Sequence, residues 1–548
     1  MNQTQSRQIG STALLLIGLG SIIGSGWLFG AAHAATIAGP ASIVAWIIGM
    51  VIILSIALSY AELGAMFPES GGMVRYARYS HGSLTGFIAA WANWIAIVSV
   101  IPIEAEASVQ YMSTWPWEWA RNLYQHHVGH GELSPLGLTI ASALVIIYFL
   151  LNYWGVKLFT KANNAITVFK IGVPTLTIGA LLYSRFHVEN LTSTVTGGFA
   201  PYGWASVMTA VATSGIVFSF NGFQSPVNLA GEARNPGYSV PFGVVGSILI
   251  AAIVYIFLQI AFLGALTPAE LANGWHKLSF SSPFAQLAMA LGLNWLMLLL
   301  YFDAFISPSG TGAAYTATTS RMIYGMQRNG TLPDILGRIH PIYGVPRAAM
   351  WVNLAVSFIF LFFFRGWSTL AAVISVATVI SYLTGPISAA ALRRTAPELA
   401  RPLRLRGLNI IAPFAFTCAS LVLYWARWPL TGQIIMLMVV ALPIYIYYQA
   451  RAGWHDFSRE FSGAFWLIAY LPTMAIVSWI GSEDFGGIGL LPYGIDMLVV
   501  IILSLGFYLW GVRSGWRTRY LDEEHALSSH STTPATHPPS TLPSQKKR

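Results

Sequence analysis

Three ionisable side chains lie inside long apolar stretches of the chain, where a charge is costly and usually has a functional reason. They are Lys170, Glu104 and Asp303. Because burial disfavours a charged ammonium, Lys170 is expected to release its proton readily and to act as a proton carrier. The alternative is a lysine whose side chain extends to the membrane interface, nine residues after Lys161. The sequence predicts proton coupling at Lys170, with Glu104 and Asp303 as further candidates.

A third acid, Glu106, stands two positions after Glu104. Residues two apart on a helix point in nearly opposite directions, so only one of the two should face a transport pathway. The sequence does not say which one does. For each acid, Asp303 included, the alternative is a structural contact with a hydroxyl, a tyrosine or the backbone of another helix.

A glycine-rich run interrupts the first apolar stretch. Residues 20–30 contain four glycines, and we expect the helix to break between Gly24 and Gly26. A break in hydrocarbon frees backbone N–H and C=O groups, which is tolerated where they line a cavity or bind a ligand. The N–H groups at the start of the second half-helix suit a carboxylate. Close packing of small residues between helices is the competing explanation.

The sixth apolar stretch is interrupted in the same way, between Phe218 and Pro226. Two broken spans five apart are typical of an inverted repeat that binds its substrate between the breaks. The N–H groups of Ser25 and Gly26 would hold a carboxylate, and carbonyls near the breaks would receive an ammonium, as an α-amino acid requires. The predicted substrate-binding residues are Ile23, Gly24, Ser25, Gly26, Phe218, Ser219, Asn221 and Gly222.

The elements that position these residues are transmembrane helices. Of the 548 residues, 55% are hydrophobic and 9% are charged, which excludes a soluble protein. The net charge of +9 is spread over short loops rather than one surface, so no nucleic-acid partner is expected. The single cysteine, Cys418, excludes a disulfide framework within the chain. We found no metal-ligand spacing, nucleotide cradle or nucleophile elbow, so the chain is not expected to be an enzyme or to need a cofactor.

About fourteen apolar stretches are long enough to cross a bilayer, which predicts an all-α membrane protein. Lys and Arg concentrate in alternate loops and therefore place both termini in the cytoplasm. The last residues, rich in Ser, Thr and Pro, are expected to be a disordered tail, and its final basic residues either contact anionic membrane lipid or remain solvated. The predicted divisions are a cytoplasmic N-terminus at 1–10, a core of ten spans at 11–405, four additional spans at 406–512 and a disordered cytoplasmic tail at 513–548.

Four further segments carry a family resemblance. They are Glu62-Leu63 with 67–72, 231–236 with Pro241, 320–346, and Arg401-Pro402-Leu403-Arg404. In order and spacing they resemble the amino acid-polyamine-organocation superfamily. The resemblance implies a five-plus-five inverted-repeat fold with alternating access, followed here by four additional helices. It also implies an aromatic gate at Phe218 and places Lys170 where sodium-coupled relatives bind their ion.

These observations predict a secondary active transporter of a bacterial inner membrane, a symporter that takes up an amino acid together with a proton. Similarity to a branch that includes proton-linked aspartate carriers points to aspartate or glutamate, although no arginine lies within a span to pair an acidic side chain. Two alternatives remain open. One is an amino acid exchanger of the same fold, and the other is a transport-inactive amino acid sensor.

Overall fold

The computed structural model describes residues 9–69, 71–127, 130–154, 157–192, 197–453 and 456–523. Helices dominate because a backbone in hydrocarbon must satisfy its hydrogen bonds within its own segment. The helices of the first 405 residues are α1 (Ser11–Ile22), α2 (Gly26–Ala38), α3 (Ser42–Met66), α4 (Tyr76–His81), α5 (Ser83–Val98), α6 (Val100–Met112), α7 (Glu118–Arg121), α8 (Pro135–Tyr153), α9 (Lys157–Ser184), α10 (Glu189–Thr192), α11 (Gly203–Thr213), α12 (Ile216–Ser219), α13 (Gln224–Asn228), α14 (Pro236–Ala265), α15 (Pro268–Leu271), α16 (Pro283–Ala290), α17 (Asn294–Arg328), α18 (Arg347–Phe363), α19 (Trp367–Tyr382) and α20 (Thr384–Thr395). The remaining helices are α21 (Leu408–Trp425), α22 (Leu430–Val439), α23 (Leu442–Ala452), α24 (Phe457–Ile480) and α25 (Ile495–Ser514).

Ten helical segments within the described ranges are long and apolar enough to cross a membrane. Four of the spans predicted from the sequence fall wholly or partly outside that set. Helices α1 and α18 are apolar but shorter, α11 to α13 are the pieces of an interrupted helix, and α17 carries polar residues along its length. Length and hydropathy therefore recognise the regular spans and pass over the interrupted and polar ones.

The interrupted helices lie in the centre of the first 405 residues. Helix α1 packs on α14 and α9, whereas α2 packs on α11 and α14. Helix α17 packs on α6, α8 and α9. The broken segments are thus enclosed by continuous helices, which keeps their unpaired backbone groups away from lipid.

One short hairpin departs from the all-α prediction. Strand β1 (Tyr124–His127) pairs antiparallel with β2 (His130–Leu133) between α7 and α8. The hairpin is anchored next to the start of α19, since Leu133 N donates to Arg365 O at 2.8 Å. It is too short and too polar to register in an apolar-span analysis.

Two of the segments that carry the family resemblance supply charged groups that bind around α20. Glu62 accepts hydrogen bonds from the Arg393 guanidinium and from Leu405 N. Arg401 donates to the carbonyls of Leu392 and Ala396, near the end of α20. These charged groups are therefore satisfied by structural contacts.

The chain after α25 packs against the short helix α4. Trp516 N donates to Ser80 O at 3.0 Å, and Thr518 Oγ1 donates to Tyr79 O at 2.9 Å. The guanidinium of Arg78 stacks on the ring of Tyr520. This segment is held by backbone, hydroxyl and aromatic contacts together.

The prediction of a disordered tail at 513–548 is therefore wrong for residues 513–523. Leu521 is fully buried, and Thr518 is buried beside it. The polar composition of the whole tail hides these few anchoring residues at its start. Residues 524–548, including the final basic residues, lie outside the described part of the chain.

Candidate substrate and proton site

The first span breaks where the glycine run predicts. Helix α1 ends at Ile22 and α2 begins at Gly26, so the first N–H groups of α2 have no partner within the helix. Both carboxylate oxygens of Glu104, on α6, accept from Ser25 N, at 3.0 and 3.3 Å. Among the described residues, no acceptor is found for the N–H groups of Gly26 and Trp27. The start of α2 thus holds one carboxylate and offers N–H groups for another.

Two glycines of this break are needed for close approach. A Cβ added at Gly24 would lie 2.6 Å from Glu104 Oε1, and one at Gly26 would overlap Ser219 Oγ. Real Cβ atoms do not approach so closely, so larger residues would push Glu104 or the second break away. The glycine spacing therefore serves contact with α6 and α12 as well as backbone freedom.

The second break touches the first. Helix α12 ends at Ser219 and α13 begins at Gln224, with Gly222 at φ +130° between them. A Cβ at Gly222 would lie 2.5 Å from the carbonyl carbon of Ser21, which only glycine avoids. The hydroxyl of Tyr255 lies between the breaks, 3.2 Å from Ile22 O and 3.1 Å from Ser219 O.

The amide of Asn221 is oriented by a chain of hydrogen bonds. Gln224 Oε1 accepts from Gly222 N at 3.0 Å, which leaves Gln224 Nε2 to donate to Asn221 Oδ1 at 2.7 Å. Tyr382 OH lies 2.8 Å from Gln224 Oε1 and 3.1 Å from Asn221 Oδ1, and it can donate to only one of them at a time. Because the backbone N–H can only donate, this series of hydrogen bonds has one possible direction.

Lys170 connects the first break to α17. Its side chain, 3% exposed, donates from Nζ to Gly20 O at 3.0 Å and to Thr311 Oγ1 at 2.6 Å. Ser309, two residues before Thr311 on α17, instead contacts Tyr148 OH at 3.0 Å. Within the described residues, Lys170 forms no ion pair with a buried acid. Its ammonium is held by neutral groups of two different helices.

Asp303 begins a polar stripe on α17 with a spacing of four residues. Ser307 Oγ donates to Asp303 Oδ1 at 2.5 Å, and Thr311 Oγ1 lies 3.2 Å from Ser307 O. Tyr315 is the next member, one turn further along. Asp303 is fully buried, and its Oδ2 has no partner among the described residues. Asp303 therefore contacts its own helix and stands two turns from the lysine's hydroxyl partner.

The structure separates the two acids of α6. Glu104 reaches the first break, whereas the buried carboxyl of Glu106 has no hydrogen-bond partner in the described part of the chain. In the same ranges no group of three or more His, Cys, Asp or Glu is arranged to hold a metal ion. Of the two acids, Glu104 is the one that faces the broken spans.

A small cavity lies where the breaks meet. It is lined by Ser21, Ile22, Gly24, Gly26, Val100, Glu104, Phe218, Ser219, Asn221, Thr311 and Tyr315. The cavity volume is about 10 Å³, which is room for about one water molecule. Of the predicted binding residues, Ile23, Ser25 and Gly222 are buried nearby but do not line it. This closed form must widen before it can hold an amino acid.

An aromatic group at the start of α19 covers the first break. Trp367 Nε1 donates to Ser25 Oγ at 2.9 Å, and its ring lies 4.9 Å from that of Phe29 and 5.9 Å from that of Phe218. His33 stacks on the same indole. Phe218 is thus one member of an aromatic cover that includes Trp367.

Several residues of the site were not predicted from the sequence. They are Trp367, Tyr315, Tyr255, Gln224 and Tyr382. The four-residue spacing from Asp303 is a signal that could have identified Tyr315. Gln224 lies within the predicted second break, at the start of α13. Tyr255 on α14 and Trp367 and Tyr382 on α19 come from distant helices, and no local pattern relates them to the breaks.

Comparison with known proteins agrees with this architecture. A family model described as Amino acid permease matches residues 9–450. The Glutamate/serine transporter AimA of Bacillus subtilis (strain 168) is 61% identical over 531 residues, 96% of this chain and 97% of that protein. The Aspartate-proton symporter of the same organism is 39% identical over 509 residues, 92% of this chain and 95% of that protein.

A more distant relative is the Branched-chain amino acid permease BcaP of Bacillus subtilis (strain 168), 25% identical over 464 residues, 81% of this chain and 93% of that protein. The family resemblance predicted from the sequence motifs is confirmed by these matches. With ten segments able to span a bilayer, the protein is an integral membrane protein. The chain therefore belongs to the amino acid permease family of membrane transport proteins.

Proposed function

We propose that this protein is a proton-coupled symporter that takes up glutamate, aspartate or serine. The substrates named for the two relatives at 61% and 39% identity support this choice, and the name of the second includes the proton. Both relatives match over more than nine tenths of the chain. An exchanger of the same fold or a transport-inactive sensor receives no comparable support.

The α-carboxylate of the substrate binds the N–H groups of Gly26 and Trp27 at the start of α2. The free N–H groups and the positive end of the helix dipole favour an anion there. The α-ammonium is received by backbone carbonyls at the breaks, near Ile23, Phe218 and Asn221. Gly24, Ser25, Ser219 and Gly222 shape this site through the close contact between the two broken helices.

Glu104 links substrate binding to a proton. Its carboxylate already accepts a hydrogen bond from Ser25 N, next to the N–H groups proposed for the substrate. Two carboxylates side by side repel each other, so binding favours a protonated Glu104. Asp303 remains a third candidate for proton coupling, two turns along α17 from Thr311.

Lys170 links the proton to the conformational change. When charged, its ammonium holds α1 to α17 through Gly20 O and Thr311 Oγ1. Loss of the proton weakens that bridge, and a conformational equilibrium shifts by the difference in interaction energy between the two states. The proton is the coupling ion, and no other cofactor takes part.

The proposed architecture has fourteen spans. To the ten long apolar segments of the described ranges we add four regions that length and hydropathy pass over, namely α1, α11 to α13, α17 and α18, with α1 and α2 together forming one span. Residues 11–405 form the five-plus-five inverted repeat, and 406–512 add four helices. Both termini lie in the cytoplasm of a bacterium, with the protein in the inner membrane.

The single observation that carries this proposal is the lysine bridge from the first break to α17. Purified protein in proteoliposomes, with labelled glutamate outside, tests it. We expect accumulation above the external concentration only with an inward proton gradient. Uptake that requires internal amino acid and ignores the gradient would identify an exchanger, and binding without uptake would identify a sensor.

A further inference from the structure

Two hydrogen-bond donors in the central cavity have no partner within the described part of the chain. Asn221 is 5% exposed and Tyr315 is 6% exposed, and both line the cavity. Among the described residues, neither Asn221 Nδ2 nor Tyr315 OH has a hydrogen-bond partner. A buried polar group left unpaired is costly, so such groups call for an explanation. A bound ligand that supplies an acceptor to both would remove the cost.

The Asn221 donor is oriented by the surrounding structure. The N–H of Gly222 can only donate, so it orients the Gln224 amide, which in turn uses Asn221 Oδ1 as its acceptor. The remaining group of Asn221 is therefore its NH₂. Tyr382 stabilises the same arrangement from α19. Gln224 and Tyr382 are positioning residues, and the free donor is held ready before any ligand enters.

The Tyr315 donor comes from the opposite side, on α17. It stands one turn beyond Thr311, the partner of the Lys170 ammonium. The cavity therefore combines one neutral donor from the second break and one from α17, and its described lining contains no cation. Such a pair can donate to a neutral hydroxyl as well as to a carboxylate, whereas an arginine would favour the carboxylate.

We infer that Asn221 Nδ2 and Tyr315 OH select substrates whose side chain carries an oxygen acceptor. This inference rests on the proposed function and specifies the side-chain part of the same site. It explains how one cavity can serve both serine and glutamate without an arginine in a span. An analogue that lacks the oxygen leaves both donors unpaired, and a site built to form hydrogen bonds rejects such analogues strongly.

The test compares two matched pairs of amino acids, serine with alanine and glutamate with norvaline. The protein is the full chain in proteoliposomes, and the measurement is the concentration that competes with labelled serine for uptake. We expect the parent to prefer serine and glutamate by about tenfold or more over their partners, as one hydrogen bond in a buried site allows. A parent that does not discriminate within either pair overturns the inference.

Tyr315→Phe removes one donor and keeps the ring. We expect both preference ratios to fall by about three- to tenfold. Tyr470→Phe is the matched control, because Tyr470 is a buried tyrosine of α24 that contacts Ser420, and its ratios should equal those of the parent. Unchanged ratios in Tyr315→Phe, or an equal loss for all four amino acids, would contradict a selective role.

Asn221→Asp replaces the free donor with a carboxylate of the same shape. We expect the binding of glutamate to weaken far more than that of serine. The new carboxylate repels the carboxylate of the glutamate side chain, whereas the serine hydroxyl can donate a hydrogen bond to it. Equal effects on the two substrates would count against the inference. The proposed function fails separately, if the parent transports none of glutamate, aspartate and serine under any gradient.

Discussion

Two buried charge arrangements of this protein are built on opposite principles. The Glu62–Arg393 pair joins α3 to α20, with Arg393 Nε 2.8 Å from Glu62 Oε1 and Leu405 N bound to the same carboxylate. In the centre of the broken helices, Lys170 and Glu104 are each held by neutral groups instead. One arrangement pairs charge with charge, and the other pairs each charge with backbone or hydroxyl.

This difference separates a permanent contact from one that can change. Removing Arg393 leaves the buried Glu62 carboxylate without its opposite charge, which is strongly unfavourable. Lys170 can lose its proton without stranding a charged hydrogen-bond partner, because Gly20 O and Thr311 Oγ1 are neutral. We therefore expect the first arrangement to stabilise the fold and the second to respond to protons.

Lys170→Met tests the responsive arrangement most severely. The variant keeps a side chain of similar length without a charge, so gradient-driven accumulation of substrate should be lost completely. Only two hydrogen bonds to neutral groups disappear, and because their donor is charged each costs about 2 kcal/mol, so the protein should remain folded. Uptake into proteoliposomes with and without a proton gradient measures the effect.

Lys277→Met is the matched control, since Lys277 is exposed outside the spans, and its accumulation should equal that of the parent. If Lys170→Met accumulated substrate as steeply as the parent, the proton would have to travel on Glu104 or Asp303.

Arg393→Met tests the permanent arrangement. It strands the Glu62 carboxylate, which is 2% exposed, and should lower the free energy of unfolding by about 3–5 kcal/mol. Thermal unfolding of the detergent-solubilised protein, followed by tryptophan fluorescence, measures the change. Adding Glu62→Gln should recover part of the loss, because the stranded charge is removed. A single variant as stable as the parent would show that the pair does not stabilise the fold.

Glu104→Gln gives the smallest expected effect. In the parent, substrate binding should tighten as pH falls, by up to about tenfold, because protonation of Glu104 removes its repulsion of the substrate carboxylate. The variant imitates the protonated form, so its affinity should change little with pH. Equilibrium binding of labelled substrate at several pH values is the measurement.

Glu106→Gln is the matched control on the same helix. Its carboxyl is buried and faces away from the first break, so its pH dependence should follow that of the parent. A parent-like pH dependence in Glu104→Gln would show that Glu104 does not take part in the coupling. A loss of the pH dependence in Glu106→Gln would show that Glu106, and not Glu104, carries the effect.

The sequence by itself determined the class of protein and the location of the breaks. A charged content of 9% and repeated apolar stretches leave a membrane protein as the only class, because so few charged residues cannot cover a soluble surface. Glycines at 24 and 26, and the run from Phe218 to Pro226, predicted where helices end. These properties depend on neighbours in sequence, so local chemistry is enough to recognise them.

The tertiary structure decided which polar residues meet. Glu104 and Glu106 are equivalent by composition and burial, and only the packing of α6 against the first break distinguishes them. Trp367 joins the cover of the site because α19 begins beside Ser25, more than 300 residues away in the chain. The start of the tail is ordered because α4 offers a surface for Trp516. Each outcome depends on contacts between distant segments, which no local pattern encodes.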